Sequence, residues 1–244
     1  MLLPVLPKDY ATVVRTETAT IAALVASSPD ALVPSCPGWT LTNLGEHVAL
    51  VQRFWLDIVR GERRRREDVV REAKPDATTL PDWIRDGGRR LAEVLAGADP
   101  ATPLWTWARD KTAGFVQRRQ AQEVAVHRFD AEAATGRPSA IDPALAADGL
   151  NEFFEIVLTH NDPALTGSGE SLAVVPDDAG DPWRATFDPT GVSIERGRSD
   201  ADCVVSGHAS NLLLVLWRRL PEETVAVEGK TGVLIRLMSG LDLD

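Results

Sequence analysis

The period of the hydrophobic pattern changes near residue 160, and this change most restricts the possible folds. Up to that point apolar residues recur at helical spacing, and beyond it they fall in short runs bounded by Gly, Pro and Asp. A chain of 244 residues has enough material for two modest domains, each with its own core. We therefore predict a helical domain over residues 1–160 and a small α+β domain over residues 161–244.

The first part of the chain predicts four amphipathic helices joined by short or moderate loops. They are expected at residues 9–27, 40–61, 80–96 and 112–135. Thr40 is the expected N-cap of the second helix, and Gly136 follows the fourth as its C′ residue. Gly87 and Gly88 weaken the middle of the third helix. Four such helices indicate a bundle.

The second part predicts alternating short strands and helices. A fifth helix after Asp142 and Pro143 leads to NDPALTGSGE, residues 161–170, which has the composition of a linker. The strand-like runs are SLAVVP, WRATFDP, GVSIERG, DCVVSGH and TVAVEG, and the helical ones are NLLLVLWRRL and TGVLIRLMSG. This order is typical of a small α+β domain.

The charge of the chain restricts its partners. A net charge of -10 and a pI near 4.9 argue against general nucleic-acid binding, which needs a basic face. The basic run Arg63–Arg66 is followed at once by acidic residues and is interpreted as a solvated helix end. No segment reaches the ~18 apolar residues of a membrane helix, MLLPVLPKDY lacks the regions of a secretory leader, and the two cysteines form no C-x-x-C motif. We expect a cytoplasmic monomer or small homo-oligomer with a small-molecule partner.

Three side chains on two of the predicted helices suggest a metal site. Glu123 and His127 are four residues apart on the fourth helix and therefore lie on nearly the same face. His47 stands between the apolar positions Leu44 and Val51 of the second helix, so it also points into the bundle. If the two helices face each other, two imidazoles and one carboxylate meet with a fourth position open, which is the arrangement of a catalytic zinc site. The alternative is a helix-surface Glu–His pair and a hydrogen-bonded core histidine.

Two segments carry a resemblance to a known family. VPSCPGWTLTNLGEHVALVQRFW and RRQAQEVAVHRFDAEAATGRP resemble the two signatures of the mycothiol-dependent maleylpyruvate isomerase family. DCVVSGHASNLLLVLWRRLPEETVAVEGKTGVLIRLM is similar to the family's C-terminal domain. The resemblance implies a DinB-like four-helix bundle followed by a small sterol-carrier-like α+β domain. It also implies that His47, Glu123 and His127 bind a divalent metal, usually Zn²⁺.

The resemblance further implies a thiol-dependent enzyme. Mycothiol would bind with its sulfur near the metal, which favours the thiolate. The thiolate would add reversibly to the cis double bond of a small electrophile such as maleylpyruvate, allow rotation, and leave from the trans product. A mycothiol S-transferase is the main alternative within the enzyme class. A non-catalytic small-molecule-binding protein with a structural metal is the alternative outside it.

Several further residues have two interpretations each. In the family's L-W-G-R-x-P pattern, Arg219 takes the position of a catalytic arginine and Arg218 replaces a glycine; alternatively, both complement the dipole of a helix C-terminus. Asp130 either orients a ligand imidazole or forms an exposed salt bridge. Cys36 has no histidine close in sequence, so packing explains it better than nucleophilic chemistry.

Overall fold

The structure is a computed structural model that describes residues 7–62, 75–160 and 165–241. These residues form two compact units, one that ends at Ser139 and one that begins at Ala140. The predicted domain boundary at residue 160 stays a prediction, although the contacts place residues 140–160 with the C-terminal unit. The basic run Arg63–Arg66 and residues 161–164 of the expected linker lie outside the described residues.

The N-terminal unit contains four helices close to their predicted positions. They are α1 (Pro7–Ser27), α2 (Leu41–Arg60), α3 (Leu80–Gly97) and α4 (Ala113–Ala134). Thr40 is the N-cap of α2, with a capping box formed with Asn43, and Gly61 ends that helix in the left-handed conformation. Gly136 has the same conformation after α4, with φ 74°. The residues predicted to lie at the ends of α2 and after α4 are therefore found there.

The two glycines of α3 serve helix packing. A Cβ on Gly88 would lie 2.6–2.9 Å from three side-chain atoms of Thr18 on α1. A Cβ on Gly87 would lie 2.6 Å from the guanidinium of Arg53, which packs over the ring of Trp83 at 3.6 Å. Helix α1 packs on α3 and α4, and α2 packs on the same two helices. The glycines thus allow the close approach of α1 and α2 to α3.

The C-terminal unit combines helices with a mixed sheet. Its elements are α5 (Pro143–Glu152), a π-helical segment (Phe153–Leu158), β1 (Glu170–Pro176), β2 (Trp183–Asp188), β3 (Gly191–Arg196), β4 (Cys203–Gly207), α6 (Ala209–Leu216), a 3₁₀ turn (Glu222–Thr224), β5 (Ala226–Gly229) and α7 (Gly232–Gly240). The strand order is β3-β2-β1-β4-β5. Only the β1–β4 pair is parallel among these pairings.

The sheet is centred on β1, where four consecutive residues from Ser171 to Val174 are buried. Strand β2 instead alternates between buried and half-buried residues, as expected for a strand with one face on the core. The ring of Phe154 stacks on that of Trp183 at 5.4 Å, and the indole N–H of Trp183 donates to Asn151 at 2.8 Å. The predicted fold class, a four-helix region followed by a small α+β unit, is confirmed. The π-helical segment and the parallel pair were not predicted.

Within the described residues, no helix combines the length and apolar character needed to cross a membrane.

Candidate metal centre

The fourth helix brings charged side chains into the centre of the N-terminal unit. Every residue from 115 to 131 is buried except Arg118 and Glu123, which are half-buried. His127 and Asp130 are buried on the same helix, with 7% and 0% of the whole residue exposed. Unpaired charges at such positions would be costly, so each requires a partner.

The three predicted ligands converge. The Oε1 atom of Glu123 lies 3.4 Å from Nε2 of His47 and 3.3 Å from Nε2 of His127. One ligand atom from each residue lies within 4.8 Å of the others. The two imidazole rings are nearly perpendicular, at 80°, with centroids 5.0 Å apart. Helices α2 and α4 therefore bring together the residues that sequence spacing selected.

These separations fit a tetrahedral ion better than a direct ion pair. Nitrogen and oxygen ligands about 2.0–2.1 Å from a tetrahedral zinc are about 3.3–3.4 Å from each other. Charge-assisted hydrogen bonds are shorter, about 2.7–2.9 Å. The contact between His127 and Asp130 has such a length, 2.9 Å, whereas the contacts of Glu123 with the two histidines do not. The spacing of the donor set thus fits a divalent cation.

The exposure of the three side chains decreases across the group. It is 35% for His47, 23% for Glu123 and 9% for His127. The group is therefore closed around His127 and accessible to solvent near His47. Three predicted ligands with one accessible side resemble the arrangement of catalytic rather than structural zinc sites, in which a fourth position takes an exogenous ligand.

The electrostatics of the group favour an ionised carboxylate. Burial by itself would raise the pKa of Glu123, but the contacts with His127 and His47 and the charge of Arg119 hold that pKa well below its usual range. Burial would likewise lower the pKa of His127, but the contacts with Asp130 and Glu123 raise it to about 9. In the metal-free protein at neutral pH, His127 is therefore an imidazolium held between two carboxylates.

Neighbouring side chains hold the ligands from outside. Nη2 of Arg119 lies 3.4 Å from Oε2 of Glu123, so the two carboxylate oxygens have different partners. Nδ1 of His127 contacts Oδ2 of Asp130, and the hydroxyl of Ser35 donates to Oδ1 of the same carboxylate at 2.6 Å. Asp130 is thus a buried partner of the His127 imidazole, and the alternative of an exposed salt bridge was wrong. Sequence reasoning did not identify Arg119 or Ser35.

A second group with suitable ligand atoms lies in the C-terminal unit. Asp177, Asp178 and His208 are close together but more exposed, with Nδ1 of His208 3.0 Å from Asp177. Asp178 also accepts the backbone N–H of Ala209 at 2.8 Å, at the start of α6. An ordinary surface ion pair and a helix cap account for this group.

The two arginines after α6 differ in their surroundings. Arg218 has φ 60°, the left-handed conformation that favours glycine, and its Nη2 donates to the carbonyls of Met238 and Leu241 at the end of α7. Nη1 of Arg219 donates to the carbonyl of Trp217 at 2.7 Å. Arg218 therefore has a backbone conformation typical of glycine. This agrees with its place at the glycine of the L-W-G-R-x-P pattern. The catalytic role of Arg219 stays a prediction.

Comparison with known families agrees with this architecture. Residues 12–132 match the mycothiol maleylpyruvate isomerase N-terminal domain, and residues 144–236 match the C-terminal domain of the same family. The chain belongs to the mycothiol-dependent maleylpyruvate isomerase family. The gap between the two matched regions contains the division between the compact units at Ser139 and Ala140. The resemblance seen in three segments of the sequence is thus confirmed over most of the chain.

Solved structures show the same fold. A crystal structure of the mycothiol-dependent maleylpyruvate isomerase is similar to the chain, with a TM-score of 0.66 and 14% identity, over 93% of this chain and 96% of that one. A histidine-to-alanine variant of that isomerase aligns with a TM-score of 0.61 and 14% identity, over the same shares of 93% and 96%. No curated protein sequence matches the chain significantly. At this identity, the solved isomerases support the fold of the family.

Proposed function

We propose that the chain is a cytoplasmic, metal-dependent isomerase that uses mycothiol and acts on a small electrophile, with maleylpyruvate as the first substrate to test. Membership of a family named for such an isomerase supports the enzyme class. The main support for metal dependence is the distance from Oε1 of Glu123 to Nε2 of His127, 3.3 Å, and to Nε2 of His47, 3.4 Å. The group is also accessible to solvent near His47. Zn²⁺ fits this mixture of two imidazoles and one carboxylate.

The proposed ligands and Arg119 would have different roles in the site. His47, Glu123 and His127 would hold the ion, and the ion would supply positive charge that lowers the pKa of a coordinating thiol. Arg119 engages Oε2 of Glu123, so Oε1 alone faces the two histidines. A thiol would approach the ion from the accessible side near His47.

Arg219 is proposed to bind the carboxylate of the substrate or a developing enolate. A planar guanidinium suits both because it donates two parallel hydrogen bonds to paired oxygens. Replacement by lysine keeps the charge and removes this geometry. We expect Arg219→Lys to lower kcat/KM for maleylpyruvate about 10-fold or more while the zinc content stays unchanged. Equal kcat/KM in the two proteins would exclude this role.

The proposal is tested by metal content and product analysis of one set of proteins. The unaltered chain should contain close to one zinc per molecule and convert maleylpyruvate to its trans isomer without consuming mycothiol. His47→Ala should lose both properties. His208→Ala is the matched control, since it alters the exposed histidine of the second group and should change neither. Consumption of one thiol per turnover would instead show an S-transferase, and metal retained in His47→Ala would refute the ligand assignment.

A further inference from the structure

The loop between α1 and α2 touches both ligand-bearing helices. Its residues 28–40 contain Ser35, whose hydroxyl donates to Asp130 on α4 at 2.6 Å across 95 positions of sequence. The same loop contains Trp39, whose ring lies 5.3 Å from that of His47 on α2. One short loop therefore contacts His47 through Trp39, and contacts the carboxylate partner of His127 through Ser35.

The loop is held in place by its own hydrogen bonds. The N–H of Val33 donates to the carbonyl of Trp39 at 2.9 Å, and the N–H of Cys36 donates to the carbonyl of Val33 at 3.1 Å. Gly38 has φ 82° with open space around it, so the turn depends on its backbone conformation rather than on a close contact. A loop fixed in this way can hold the hydroxyl of Ser35 at a constant position.

Asp130 connects the loop to His127, because it contacts both Ser35 and the imidazole. An ionised carboxylate only accepts hydrogen bonds, so Oδ1 accepts from Ser35 and Oδ2 accepts from Nδ1–H of His127. A proton fixed on Nδ1 leaves Nε2, the atom that faces Glu123, to donate its lone pair to a metal. The serine contacts the carboxylate, so the group differs from a catalytic triad, where the hydroxyl contacts the imidazole.

We infer that Ser35 and Asp130 are positioning residues that fix the ring orientation and tautomer of His127 for metal binding. The inference rests on the proposed function because it assumes that His127 is a ligand. Outer partners of ligand histidines commonly change metal affinity about 10–100-fold when they are removed. Asp130 is completely buried, so solvent cannot replace it as the partner of Nδ1. The loop is thereby part of the metal centre although it supplies no ligand.

The test measures zinc affinity by competition with a chelator, and the visible spectrum of the Co²⁺-substituted protein as a report on ligand geometry. Measurement at about pH 9 limits competition by protons for the imidazoles. Asp130→Ala should weaken zinc binding about 100-fold and change the Co²⁺ spectrum, whereas Asp130→Asn keeps an acceptor and should lose about 10-fold. Ser35→Ala should lose about fivefold, and Ser35→Thr, which keeps the hydroxyl, should bind zinc like the unaltered chain.

The control variant is Glu17→Gln. Glu17 is a carboxylate on α1 that accepts from Arg128 of α4 at 2.8 Å, so its loss should lower the Tm without changing the zinc affinity. Unchanged affinity and spectrum in Asp130→Ala would overturn the inference while leaving the proposed function intact. If that variant does not fold, equal affinities of Ser35→Ala and Ser35→Thr would overturn it instead. Failure of the unaltered chain to bind zinc would refute both proposals.

Discussion

Protonation of His127 should make zinc binding strongly dependent on pH. Its pKa is raised to about 9 by Asp130 and Glu123, against the opposing effect of burial. As a proposed ligand, His127 would give the ion the lone pair on Nε2, so zinc would have to displace the proton that this nitrogen carries in the metal-free protein. Raising the pH from neutral towards that pKa removes the competing proton and should tighten binding.

The size of the effect follows from the pKa. At pH 7, about two units below the pKa, the imidazolium outnumbers the neutral ring about 100-fold. The apparent zinc affinity should therefore be about 100-fold lower at pH 7 than well above pH 9, which corresponds to ~2.7 kcal/mol. The metal-free protein should behave in the opposite way. Because the folded pKa of His127 lies above its usual 6.5, this group stabilises the fold fully below pH ~6.5, and the contribution is lost as the pH rises through about 9.

Calorimetric titration with zinc in buffers of different ionisation enthalpy counts the protons released. We expect about one proton released per zinc at pH 7 and a dissociation constant that falls about tenfold per pH unit up to the pKa. Thermal unfolding should show the Tm of the metal-free protein falling over this range, whereas excess zinc reverses the trend. His127→Asn should lose the pH-dependent contribution of His127 to stability. Proton-free binding with a constant dissociation constant would refute the assignment of this imidazolium.

Two further predictions concern backbone positions and are measured by chemical or thermal unfolding. Gly88→Ala should destabilise the fold by about 1–3 kcal/mol, since the new methyl group would meet Thr18 at 2.6–2.9 Å, whereas Gly97→Ala in open space should stabilise it by up to ~1 kcal/mol. A stabilised Gly88→Ala protein would contradict the packing role of that glycine. Arg218→Gly should be more stable than Arg218→Ala by ~1 kcal/mol, because both lose the guanidinium contacts but only glycine relieves the left-handed backbone. Equal stabilities would show that the conformation carries no strain.

The helical part of the fold was predictable because its signals are local. The caps at Thr40 and Gly61 mark the ends of α2, and the pattern of apolar residues marks the buried face. The parallel pairing of β1 with β4 was not predictable in this way, because it joins segments about 30 residues apart through backbone hydrogen bonds that any residues can form. The π-helical segment also lacked a signal, since Phe153–Leu158 has an ordinary helical pattern.

The candidate site was predictable to the extent that it follows helical spacing. Glu123 and His127 share one face of α4, and His47 stands in an apolar stripe, so three residues could be selected from the sequence. Arg119 lies four residues before Glu123, and this helical spacing also predicts their contact from the sequence. The contact of Ser35 with Asp130 has no such signal, because a loop and a distant helix meet only in the folded chain.

The charges on α4 give a physical reason for an anionic partner of the metal. Among the contacts described, Arg119 and the imidazolium of His127 supply two positive charges that face the two carboxylates of Glu123 and Asp130. A divalent ion that displaced one proton would add one positive charge on the side of the group that is accessible near His47. A thiolate carries the single negative charge that restores the balance, and a neutral thioether does not.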